Sequence, residues 1–455
     1  MHSKPSTLEP QAAWQPFRPS LEEPWDRRRV AHLYRRAAFG CNREELGQGL
    51  TRSPEEVVDR LLAADRDSDA FDRQMESLAG TVVAGGDPQG LTAWWLYRLV
   101  HTPAPLRENV TLFWHGHFAT SAAKVRSARL MYAQNQLLRR HALGPFEELV
   151  QGISRDPAML IYLDSTTNRR IHPNENYARE LMELFCLGLD EYTEQDIQEL
   201  ARCFTGWEVD QERFRFNRFQ HDPGEKKLLG QSGRFGGEEG VRIVLAQAAA
   251  PRFIARKLVR YFVCDDEVPE EVIAPLADEL RENDFAIEPT VRRILTSRLF
   301  FSERSLGRKI RSPVELAVGL LRSLQATTGT KELAAALRPL GQTLFYPPSV
   351  KGWDGGRTWI NATTLLGRAN VVRHIVDSPS TEFAGGSLAA LAEKHQLSDA
   401  SAVVDWVGGL LLAVPLDAAV RKSLAELAAE RAPDRHRQLA DTIHAISILP
   451  EFQLS

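Results

Sequence analysis

The chain has 455 residues, of which 43% are hydrophobic and 25% charged, with a formal net charge of −4. This is the make-up of a soluble globular protein, long enough for two domains or for one large domain with subdomains. The slight negative balance excludes a general nucleic-acid binder, though not a local basic patch.

Residues 1–25 contain Pro and Ser and read as an extended segment, with no apolar core of a secretory signal. No stretch approaches a membrane span, so the expected location on this sequence is cytoplasmic. A short helix over Asp26 to Phe39 carries His32, Arg35 and Arg36. Ser53-Pro54-Glu55-Glu56 is a helix start, with Ser as cap, Pro in the first position and acids in the first turn. Asp65 to Asp72 reads as an acidic loop, and Ala84 to Pro88 as a second break. Leu91 to Val100 is an aromatic-rich helix, and Pro105 opens the segment that runs to Ser121. A helix follows through Met131, Asn135 and Leu138, another covers Phe146 to Ser154, and Ala158 to Leu163 is a short apolar run. Strands are expected only around 208–240, from Phe214, Phe216 and Phe219, and the Gly-rich run Gly230 to Gly240 there reads as loop. Helices resume from Val241 and are interrupted by the Gly- and Pro-rich loop Tyr346 to Gly356. Residues 378–398 are weakly patterned. The fold class is therefore all-α, an irregular multi-helix bundle with a small β-hairpin-like insertion around 208–240. The expected division is an N-terminal segment, 1–25, a main helical domain, 26–376, and a C-terminal helical subdomain, 377–455, packed on it.

The most informative stretch runs from Asp164 to Trp207. A helix is predicted from about Asn174 to Leu187, with acidic Glu175 in its first turn and Gly188 as its stop. Tyr177, Leu181, Leu184 and, more loosely, Phe185 share an apolar face. Asn176, Glu180 and Glu183 share a neighbouring face, and Arg179 stands four residues from both Glu175 and Glu183. Two readings fit: a salt-bridged, solvated face, or a polar wall at the rim of the core.

His115-Gly116-His117 is the most ligand-like sequence. On a regular helix the two imidazoles point about 200° apart and cannot share a metal, whereas in an extended segment they share a face. With Asp164 and His221 they form a candidate metal set, His115, His117, Asp164 and His221, of a type that suits a divalent ion. Glu180 and Glu183 are candidates for general acid and base, with Asn176 and Arg179 beside them. Each of these residues has a structural alternative, the histidines as core or cap residues and the carboxylates as salt-bridge partners. Arg256, Lys257, Arg260, Lys309 and Arg311 give a basic scatter compatible with an anionic ligand or with surface ion pairs. The four cysteines are dispersed and form no CxxC pair, and phosphate-loop, dinucleotide and nucleophile-elbow motifs are absent.

Taken together, several blocks resemble the bacterial domain-of-unknown-function 1800 family. They are His32 to Gly40, Phe113-Trp114-His115-Gly116-His117-Phe118, Asn174 to Phe185, Thr205-Gly206-Trp207, His221-Asp222, Lys309 to Glu315, Pro347 to Trp353 and Leu449 to Gln453. The resemblance covers nearly the whole chain from about Ala31. It implies no established activity. It implies instead a bacterial protein whose relatives often carry export signals and whose gene neighbours a sulfatase-like protein, a candidate partner. The leading functional expectation is a metal-dependent, hydrolase-like enzyme with a His/carboxylate pocket. The alternative is a non-catalytic partner or assembly protein in which the same polar residues form a structural network.

Overall fold

Capping chemistry explains where most helices begin. Asp26 accepts the Arg29 N–H at 3.0 Å and starts the Arg27–Ala38 helix. Ser53 and Glu56 exchange reciprocal bonds at the head of Pro54–Ala63, with Pro54 in the first position, as its sequence predicts. Thr193 with Asp196 and Ser312 with Glu315 repeat the device. The structure, a computed structural model, describes residues 9–64, 68–431 and 433–455.

Among these residues the chain is mainly α-helical with two small antiparallel hairpins. The first pairs Trp207–Asp210 with Arg213–Phe216, and the second pairs Lys226–Leu228 with Gln231–Gly233. Both fall in the 208–240 region where β-structure was expected, but the run Gly230 to Gly240, read as loop, holds the strand Gln231–Gly233 and the start of the helix Gly237–Leu245. No helix among the described residues is long and apolar enough to cross a membrane.

Several local expectations need correction. The acidic stretch at 65–72 lies partly outside the described residues, and from Asp69 it is already the helix Asp69–Ala84. Residues 1–8 also lie outside them. The rest of the N-terminal segment is not simply extended, because Pro10–Ala13 forms one helical turn. The Trp14 indole N–H there donates to the Val272 carbonyl at 2.6 Å and anchors the segment to the core. The apolar run after Asp156 is a helix, Pro157–Tyr162, because Asp156 caps it at Met159 N–H. Within the weakly patterned 378–398 stretch, Ser387 caps a short helix, Leu388–Lys394.

Two hydrophobic clusters hold these elements. One gathers the N-terminal anchor, the Pro105–His117 helix, the 177–207 segment and the helices up to Phe301. The other joins Gln89–His101 to Pro313–Ser323 and to the helices of the last hundred or so residues. The Pro105–His117 helix contributes to both, through Trp114 on one side and Leu112 on the other. A buried charge network fixes that helix. Glu108, fully buried, accepts from Trp95 Nε1 at 3.0 Å, Arg98 Nε at 2.6 Å and Arg139 Nε at 2.5 Å. Burial pushes its carboxyl up, but the charges of Arg139 and Arg98 outweigh burial and hold it well below the usual carboxylate range.

Glu108→Gln leaves two buried guanidinium groups short of a counter-charge, so a loss of about 3–5 kcal/mol is expected in urea unfolding at pH 7. Because the folded-state pKa is depressed, this stabilisation is present above the unfolded glutamate pKa of about 4.3 and is lost as pH falls below it. The variant is therefore expected to show a shallower decline in stability from pH 7 to pH 3 than the parent.

Candidate functional site

The Asn174 to Leu187 block is helical, but not uniformly so. Asn174 Oδ1 accepts the Asn176 N–H at 3.0 Å, which places the first helical residue at Asn176. The α-helix Asn176–Glu180 then widens into a π-helical turn, Leu181–Cys186. The wider turn changes which residues face the core. Leu181, Met182, Phe185 and Cys186 are buried, while Leu184, placed on the apolar stripe by α-periodicity, is only half-buried beside Glu183. Such π-turns recur where a helix must present groups in register with a site.

The two ends of this block do different things. Arg179 donates to both oxygens of Glu194, at 2.8 and 2.7 Å, and lies 3.3 Å from Glu175. It does not reach Glu183 and acts as a solvent-side clasp between consecutive helices. Asn176 is exposed. Glu180 is half-buried, its carboxyl pushed up by burial and by the charge of Glu183, with Arg179 and Lys351 pulling the other way. Glu183 accepts from the Tyr192 hydroxyl at 3.3 Å.

The metal set is not brought together. Residues 105–117 form a regular helix, so the helical alternative for His115-Gly116-His117 is the observed one and the two rings diverge. His115 is buried beside Trp95, Phe345 and Trp353, and its Nε2 accepts the Phe345 N–H at 3.0 Å. Burial pushes its pKa down to about 3, so the ring is neutral. Asp164 faces outward and receives the Lys124 ammonium at 2.7 Å. His221 donates through Nδ1 to the Thr205 carbonyl at 2.9 Å and packs edge-on to Phe216. Among the described residues no group of three or more His, Cys, Asp or Glu is placed to hold a metal ion.

His117 behaves differently. Its Nε2 donates to the Phe185 carbonyl, on the π-turn, at 3.0 Å. Burial, reinforced by the charge of Lys257, keeps the imidazole neutral, with its pKa well below the usual value. A neutral ring that donates from Nε2 carries a lone pair on Nδ1. That nitrogen is buried and finds no hydrogen-bond partner among the described residues.

His117 lies where two adjoining cavities meet, of about 180 and 390 Å³, both also lined by Lys257 and Lys351. The first is walled by Tyr261, Lys309, Glu315 and Trp353, the second by Glu183, Leu184 and Phe253. Four sequence blocks thus converge on one cleft: Phe113 to Phe118, Asn174 to Phe185, Lys309 to Glu315 and Pro347 to Trp353. A close backbone crossing seats the last of them. Gly352 has φ +77°, and a Cβ there would stand 2.2 Å from the Gly116 carbonyl oxygen. Only glycine fits that crossing.

Lys257 was legible only as one member of a basic scatter. In the structure it is half-buried on the Ala249–Phe262 helix, between Phe253 and Tyr261 at i−4 and i+4. Its Nζ stands 5.1 Å from the Phe253 ring centroid and makes no hydrogen bond or ion pair with any described residue. The neighbouring arginines turn away, Arg256 to Glu270 at 2.7 Å and Arg260 to the Asp354 carbonyl at 3.3 Å. Burial first, and the Arg260 charge second, push the Lys257 pKa down to about 8.

Four further arginines are buried, Arg35, Arg36, Arg311 and Arg368; they line neither cavity, but three of them, Arg36, Arg311 and Arg368, couple to Glu315, which lines the first. They donate mainly to backbone carbonyls: Arg35 to Leu410, Arg36 to Val263 and Ser305, Arg311 to Leu454 and Leu411, and Arg368 to Arg311. Carbonyls satisfy N–H groups without cancelling charge. Glu315 couples electrostatically to Arg36, Arg311 and Arg368, and its carboxyl, raised by burial, is brought below the usual range chiefly by Lys309 and the Ser312 N–H. The cluster therefore carries more guanidinium than carboxylate charge in a low-dielectric setting.

A family model described as "Protein of unknown function (DUF1800)" matches residues 32–454. No curated protein and no solved structure matches the chain.

Competitive acylation across a pH series tests the depressed Lys257 amine. Its labelling is expected to reach half-maximum near pH 8, and is compared with that of the exposed Lys331 and Lys422. A Lys257 profile superimposed on those of the exposed lysines would refute the assignment.

Proposed function

We infer, for a chain that belongs to the DUF1800 family, that the cleft between His117, Lys257 and Lys351 binds a small anionic ligand and performs acid–base chemistry on it. The observation that carries this reading is the uncompensated positive charge at the cleft. Lys257 has no counter-ion, Lys351 is exposed at the rim, and the buried arginines are bonded mostly to carbonyls. Lys257 and Lys351 line both cavities, and two cations without bonded counter-ions favour an anion between them.

His117 supplies the proton acceptor. Its Nδ1 lone pair is a buried acceptor that has no partner among the described residues, so a ligand hydroxyl or a water bound against it would satisfy it. An anion beside Lys257 also neutralises the charge that depresses the imidazole, so ligand binding raises the basicity of the ring. In a hydrolytic version of the reaction, the water held by Nδ1 attacks the bound ester while Lys257 and Lys351 stabilise the negative charge that develops. Glu183, half-buried at the edge of the second cavity, is the nearest candidate acid from the Asn174 to Phe185 block.

The clasp of Arg179 with Glu194 and Glu175 supports a structural role for the solvent-side half of that block. It is the part of the alternative reading, a non-catalytic network, that a specific contact favours.

Thermal unfolding at constant ionic strength tests the anion site. Phosphate or sulfate is expected to raise the melting temperature relative to chloride, by the equivalent of about 2.7 kcal/mol at a hundredfold excess over Kd. Lys351→Ala, at an exposed position, is expected to weaken the effect while leaving the ligand-free melting temperature within about 0.5 kcal/mol of the parent. Equal melting temperatures in phosphate, sulfate and chloride would remove the anion reading.

A further inference from the structure

We propose that Lys257 is a covalent site, whose amine condenses with the carbonyl carbon of a small anionic aldehyde or keto acid to form an imine, with His117 Nδ1 carrying the proton. This rests on the anionic-ligand reading and narrows the ligand to a carbonyl-bearing acid.

The argument is one of placement. Lys257 lines both cavities. Among the cleft lysines its environment suits a neutral amine best. Lys351 is exposed. Lys309 lies 4.0 Å from Asp265 and over the Tyr261 ring. Lys257 instead has an aromatic ring at 5.1 Å, a cationic neighbour in Arg260, and no carboxylate partner. A lysine desolvated beside another cation is an activated nitrogen nucleophile. The second unpartnered group is the buried Nδ1 lone pair of His117, a residue that also lines both cavities. A nucleophile and a residue with a vacant proton acceptor thus line one cleft, with Lys351 at the rim for the acid group.

The step balances without an added oxidant or reductant. The amine lone pair forms the C–N bond, and the carbonyl π pair moves to oxygen, which takes a proton from solvent. The nitrogen releases a proton to His117 Nδ1. The protonated ring returns it to the carbinolamine hydroxyl, which leaves as water as the nitrogen lone pair closes the C=N bond.

The test uses the full chain with glyoxylate as probe and cyanoborohydride to reduce the imine, followed by peptide mapping. Lys257 is expected to be carboxymethylated roughly tenfold faster than Lys331 or Lys422 at pH 7, and phosphate is expected to slow it. Lys257→Arg keeps the charge, so phosphate stabilisation should persist while the fast site disappears. His117→Gln is expected to slow trapping roughly tenfold with phosphate stabilisation retained, a split that a purely structural histidine would not produce. Labelling spread evenly over the lysines, or concentrated on Lys351, overturns the imine. If phosphate still stabilises the protein in that case, the anion site survives. If it does not, both fall together.

Discussion

One hydrogen bond, from His117 Nε2 to the Phe185 carbonyl, sets the geometry on which the cleft depends. It ties the C-terminal turn of the Pro105–His117 helix to the π-turn at Leu181–Cys186. It also decides the chemistry of the ring. With the donor spent on a carbonyl, the remaining nitrogen is an acceptor, and burial keeps it so by disfavouring the protonated form. The π-turn makes the contact possible, because its wider winding turns Phe185 and Cys186 into the core together and leaves Glu183 and Leu184 on the cavity side. Local winding, tautomer and cavity lining thus meet in one contact between two segments far apart in the chain.

The electrostatics follow a second rule. A buried cation is tolerated when every donor finds an acceptor, but carbonyl acceptors leave its charge in place. Arg35, Arg36, Arg311 and Arg368 are held chiefly by carbonyls, with Arg35 Nη1, Arg36 Nε and Nη1 and Arg368 Nε left without a partner among the described residues, and Arg311 is driven down to about 9 by burial and, in part, by the charges of its fellow arginines. This differs from the Glu108 network, where guanidinium groups and a carboxylate bond directly. The contrast separates a charge-matched cluster from one with an excess of guanidinium charge.

Much of the helical architecture was legible because it rests on local signals. Caps such as Asp26, Ser53 and Thr193 satisfy donors within three residues, so spacing alone locates them. The first hairpin was legible from Phe214 and Phe216, whereas the second, without an aromatic residue, was not. The site was legible only in part. His117 and Glu183 were candidates and do share the cleft, but their partners come from segments hundreds of residues away. His115 looked equivalent to His117 and is not, because helical pitch sends it to a different neighbour, Phe345. Asp164 and His221 were drawn in by residue type alone, and each has a local partner that accounts for it. Lys257 was legible only as one member of a basic scatter, for a physical reason. A lysine flanked by Phe253 and Tyr261 at helical spacing reads as an ordinary amphipathic stripe, and its lack of a counter-ion is a property of three-dimensional surroundings.

The crossing of Gly352 over Gly116 has a consequence for how the protein is made. The two backbones touch where no side chain fits, and they come from distant parts of the chain. Contacts of such long range are entropically costly to close and form after local structure is in place. A nascent chain that has released the Pro105–His117 helix from the ribosome still lacks the loop that covers its end. Until residue 352 emerges, Gly116 and the Lys257 wall have no roof. The cleft is therefore a product of the whole chain, and a fragment ending before that loop would carry the helices without it.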